Sequence, residues 1–136
     1  FACIGNLLYF NKSNQKRFKS IDGAREKVIK TSKAVCSQVR HSALRVLIAL
    51  TFEDDGAPWL EEKKYAQLCC SQLSSNDQQT KKYSLILLQN ILLNPELKND
   101  LQVSDSNLLS DLASVLVDLP TELQPVAIDI LNELTH

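Results

Sequence analysis

The chain has 136 residues, 15 basic and 16 acidic side chains, four cysteines, three glycines and no methionine. Its longest apolar runs fall far short of the roughly 18 residues a membrane span needs, and no segment reads as a signal peptide. Cys3, Cys36, Cys69 and Cys70 show no CxxC pair and no neighbouring His pair, which argues against a zinc site and for reduced, mostly buried thiols in an intracellular protein, cytoplasmic or nuclear.

Taken in chain order, the predicted elements are all helical. Residues 1–10, FACIGNLLYF, read as the last helix of a preceding unit. A first complete unit, 11–53, follows, with helices at 14–20, 24–33 and 37–52 and a turn at Asp22-Gly23. The second unit, 54–94, opens on Asp54-Asp55-Gly56-Ala57-Pro58 and carries helices at 58–64, 65–73 and 77–93, with Ser75 and Gln78 in capping-box form. The third, 95–136, opens after Asn94-Pro95 and carries helices at 95–101, 106–119 and 121–134. Ser104 or Ser106 is expected to cap the second of these, and Thr121 with Gln124 to form a capping box on the third.

The long helices are self-similar. ALRVLIALTF at 43–52, SLILLQNILL at 84–93 and VAIDILNELTH at 126–136 align with one another and with 1–10. Asn6, Ala49, Asn90 and Asn132 then share a column, at steps of 43, 41 and 42 residues. A repeat near 42 residues is the mark of a helical solenoid, in which each unit buries its apolar face only against the next. The chain is therefore expected to be an all-α solenoid of about three repeats, and a piece of a longer one. Trp59, at the start of the second unit, is expected to pack between units.

Charge is divided along the chain. Residues 1–51 carry ten Lys or Arg against two acids, and residues 52–136 carry five Lys against fourteen acids. Such asymmetry raises the question of nucleic acid, an anionic membrane surface or a second copy of the chain as partner. Lys16, Arg17, Lys19, Arg25, Lys27, Lys30 and Lys33 form the candidate basic patch. Only Phe18 interleaves with them, so stacking on bases has little support.

The opening of the first unit, Asn11-Lys12-Ser13-Asn14-Gln15 followed by Asp22-Gly23, resembles the opening of the armadillo repeat. The patterns Ala2–Asn6 and Ser84–Asn90 resemble the end of that family's third helix. The later units depart from it at the corner, where Tyr65 and Ser106 replace glycine, so a HEAT-like corner is an alternative there. The resemblance implies a right-handed superhelix of three-helix repeats whose third helices line a concave groove. It also implies noncatalytic protein binding, with asparagines of the Asn6, Asn90 and Asn132 column clamping an extended peptide through donor and acceptor together. From its place two residues past Leu88, Asn90 is expected to point away from the core.

Ala49 interrupts that ladder, and Ala2, Arg45, Ile86 and Ile128 occupy the column where a tryptophan shelf would sit. His41, Arg45 and Lys82 would place positive charge in the groove, and Ile86 and Ile128 apolar pockets. An acidic or amphipathic segment, helical or extended, is the partner expected from these residues. No phosphate loop, nucleophile elbow or metal-ligand spacing is present, so neither catalysis nor a cofactor is expected.

Overall fold

The computed structural model describes residues 8, 11–51, 68–69, 71–93, 95, 98 and 106–135, with side chains undescribed at 106–109, 111–112 and 135. Six helices are delimited among them: α1 Lys12–Lys19, α2 Ala24–Ser32, α3 Ser37–Thr51, α4 Gln78–Leu92, α5 Ser106–Val117 and α6 Gln124–Thr135. No strand occurs among the described residues, and none of their helices is long and apolar enough to cross a membrane.

The first unit follows its sequence closely. Asn11 caps α1, its Oδ1 accepting from Asn14 N at 3.0 Å. The buried Gln15 reaches back and donates from Nε2 to the Leu8 carbonyl at 2.9 Å, tying α1 to the segment before it. Gly23 makes the corner into α2 with φ +77. A Cβ there would meet nothing within 4 Å, so glycine is favoured by backbone conformation and not by space.

Other boundaries correct the sequence reading. Asp77, not Ser75, caps α4: its carboxylate accepts from Gln79 N at 3.1 Å, while Ser75 Oγ accepts from Asp77 N at 3.2 Å. A carboxylate is the stronger acceptor for free amides at a helix start. Gln124 does not reach back in a capping box with Thr121; its Nε2 donates to the Leu119 carbonyl at 3.2 Å, and α6 begins at Gln124 after a turn. Cys69 is buried, as expected of a thiol, but Cys36 is exposed on the approach to α3. Cys3, Cys70, Trp59 and most of the helices expected at 58–64 and 95–101 lie outside the described residues.

The long helices pack in series. α3 lies against α4 along most of its length, and α4 against α6 more sparsely; α2 backs α3 and α5 backs α6. The core follows the repeat. Leu44, Leu85 and Ala127 are buried, as are Leu47, Leu88 and Ile130, and likewise Thr51, Leu92 and Leu134. These three columns advance by 41 and 42 residues, the spacing of the sequence repeat. Each fully buried Leu contributes about 1.5–3 kcal/mol of apolar transfer energy, so the columns dominate the stability of the stack.

Candidate partner-binding surface

The expected groove residues separate into three groups. Arg45, Lys82, Ile128 and Asn132 are exposed and Ile86 is half-buried, so five of the eight are at or near the surface of the long helices. Asn6 lies outside the described residues. Asn90 and His41 are committed to interhelical contacts.

Asn90 overturns the expectation that it points away from the core. It is 8% exposed, and its Nδ2 donates to the Ile48 carbonyl and to Thr51 Oγ1, both at 3.2 Å. Both amide hydrogens are spent on α3, so none remains to clamp a peptide carbonyl. A helical-wheel angle places a side chain relative to its own helix; the approach of a second helix decides what covers it.

His41 is held by Asp77. Its Nε2 meets Asp77 Oδ2, and its ring stands edge-on to Tyr83 at 5.8 Å between centroids. Arg40 converges on the same point, donating from Nη2 to Asp77 Oδ2 at 3.0 Å and from Nε to Thr80 Oγ1 at 3.0 Å. Its Nη1 donates to the Ala34 and Val35 carbonyls at 2.9 and 3.3 Å. Thr80 Oγ1 in turn donates to Asp77 Oδ2 at 2.8 Å. Burial works against ionisation of Asp77, but hydrogen bonds from Thr80, His41 and Arg40, with the His41 charge, overcome it and hold the carboxyl well below the usual carboxylate range. This cluster joins the starts of α3 and α4 and pairs His41 with Asp77. Neither Asp77 nor Arg40 had been singled out for it. The Thr80 and Asp77 spacing of one helical turn was the available signal.

The candidate basic patch is distributed over α1 and α2. Lys16, Arg17, Lys27, Lys30 and Lys33 are exposed. Arg25 is half-buried and paired with Glu26 at 3.1 Å. Lys12, Lys16 and Lys19 border a depression of about 370 Å³ together with Gln15. Lys27, Lys30 and Lys33 do not line it.

A second hollow was not foreseen. Between the C-terminal halves of α4 and α6 lies an open cleft of about 550 Å³. Leu92 and Ile130 line it with Leu93, Gln89, Asn90, Asp129 and Glu133. Lys98 Nζ lies 2.9 Å from Glu133 Oε2. Among the described residues, no group of His, Cys, Asp and Glu is arranged to hold a metal ion.

No family model matches the chain, and no curated protein matches it. Among solved structures, the chain is similar to the crystal structure of an engineered protein, a target of the Northeast Structural Genomics Consortium, with a TM-score of 0.78 at 20% identity. The match covers 98% of this chain and 53% of that one, so this chain spans about half its length. At that identity the likeness concerns the fold alone.

Proposed function

We propose that the chain is an armadillo-like solenoid of about three repeats and acts as a noncatalytic scaffold, docking a segment of a partner protein along the exposed face of its long helices. The serial packing of α3, α4 and α6, with buried columns at the repeat spacing, carries this proposal. Such a stack presents successive helices side by side and so offers one extended surface. Arg45, Lys82, Ile86, Ile128 and Asn132 are its accessible members. Ile128, 56% exposed, is a large apolar side chain on that face, of the kind that anchors a partner.

The test is a pulldown with the chain beside an Arg45→Glu/Ile128→Asp variant of unchanged helicity. Both residues are exposed, so the changes leave the core intact, whereas Asn90→Ala would confound binding with stability. A partner protein lost only from the variant supports docking on the long helices. An unchanged set of partners refutes it. Nucleic acid retained by both proteins, and released by charge reversal at Lys16, Arg17 and Lys30, would move the function to the basic half.

A further inference from the structure

The turn between α2 and α3 is held by its backbone and shows its side chains to solvent. Lys33 N donates to the Lys30 carbonyl at 3.2 Å and Ala34 N to the Thr31 carbonyl at 3.0 Å, closing the end of α2. Gln72 Nε2 donates to the Ser32 carbonyl at 3.0 Å. Arg40, itself fixed by Asp77, supplies Nη1 to the carbonyls of Ala34 and Val35. Yet Val35 is 98% exposed and Val39 42%, with the exposed Cys36 between them in sequence. Val35 is thus a fixed aliphatic knob: the bonds that order its backbone leave its methyl groups in water.

The charge beside this knob has one sign. From Lys27 to Phe52 the chain carries five Lys or Arg and no Asp or Glu. Ala24, Val28 and Ser32 form the buried face of α2, and Lys27, Lys30 and Lys33 are exposed around it. Among the described residues, no ion pair engages these three lysines. Glu26, the acid of α2, is paired with Arg25.

A projecting knob selects its partner differently from a groove. A protein would have to offer a fitted pocket to an aliphatic side chain this prominent. A nucleic acid gains little from it, because base stacking needs an aromatic face, and Phe18, the aromatic residue of α1 and α2, packs against the core. A bilayer needs no pocket. Its interface is fluid and takes aliphatic side chains at the boundary between headgroups and acyl chains. Its anionic lipids attract lysines, whose stems lie along apolar surface while the ammonium stays in water.

We propose that the α2–α3 turn attaches the chain to an anionic membrane surface, with Val35 and Val39 at the headgroup boundary and Lys27, Lys30 and Lys33 on the lipid phosphates. The site is distinct from the surface of Arg45 and Ile128, so the two proposals are tested separately.

The experiment is cosedimentation of the whole 136-residue chain with vesicles of equimolar phosphatidylserine and phosphatidylcholine, and with vesicles of phosphatidylcholine alone. Binding is expected to the first and not to the second. Lys30→Gln/Lys33→Gln is expected to weaken partitioning about 30-fold, at about fivefold per lysine. Val35→Ser, which changes no charge, is expected to weaken it about threefold or more. All of these positions are exposed, so helicity is expected to stay unchanged. Lys16→Gln/Arg17→Gln makes the same charge change near the other end of α2, about 14 Å away by helix rise. It is expected to cost much less, since that distance exceeds the screening length of about 8 Å at physiological salt. Equal losses from the two pairs would reduce the effect to net charge and overturn the proposal. Val35→Ser without effect would overturn it by removing the knob from the contact. Absence of vesicle binding, or binding of a DNA duplex in its place, would overturn it as well.

Discussion

Replacing Asp77 by alanine removes one side chain and with it one of the two polar ties between α3 and α4. The carboxylate caps α4 and accepts from Arg40, His41 and Thr80 at once. Loss of an N-cap costs about 1 kcal/mol, and loss of a hydrogen bond to a charged group about 1.5–3 kcal/mol. The Arg40 side chain is 13% exposed and that of Asp77 27%, so water replaces only part of what is lost. We expect a total near 3 kcal/mol, or a fall in Tm of about 10 °C for a chain of this size. The acid limb gives an independent check. Folding depresses the Asp77 pKa below its unfolded value, near 3.9. Its contribution is therefore complete above about pH 5 and drains away as pH falls toward the folded value. Urea titrations of wild type and Asp77→Asn at neutral and acid pH should give a stability difference that shrinks on acidification. A Tm change below about 3 °C for Asp77→Ala, or a difference between wild type and Asp77→Asn that does not shrink in acid, would refute the assignment of Asp77 as the joint between α3 and α4.

Asn90→Ala is expected to lower stability by about 1–3 kcal/mol, because the Ile48 carbonyl and Thr51 hydroxyl lose a shared donor in a buried joint; a urea midpoint unchanged at constant m-value would contradict that role. Native alkylation followed by site-resolved mass spectrometry should label Cys36 promptly and Cys69 only on unfolding, since the first is exposed and the second fully buried. Labelling of Cys69 at the rate of Cys36 would mean that the segment around 68–73 does not hold its packing.

What the sequence disclosed, and what it hid, divides along a physical line. Leu44, Leu47 and their partners were legible because helical period and repeat period act together, and a column that is apolar in every unit has one place to go. Gly23 was legible for a local reason, since its positive φ is a backbone preference written in one residue. Asn90 was misread, and the tie of His41 to Asp77 missed, because both depend on a second helix: each is polar, each is placed where a groove residue would be, and only the approach of α3 to α4 decides what they touch. The α4–α6 cleft was hidden for the same reason. Asp129 and Glu133 were visible as acids, but their meaning comes from standing where Leu87 and Ile91 stand one unit earlier. Shifts of one to three residues at the starts of α1, α4 and α6 reflect competition among nearby acceptors, which Asp77 wins over Ser75 by charge.

The two joints between long helices also differ mechanically. α3 and α4 are pinned near both ends, by the Arg40–Asp77 cluster at their starts and by Asn90 toward the end of α3, with leucine between. The α4–α6 joint has the sparser contact and an open cleft at its C-terminal half. The first joint thus holds more cross-helix contacts than the second. Force that separates the long helices is therefore expected to part α4 from α6 before it parts α3 from α4.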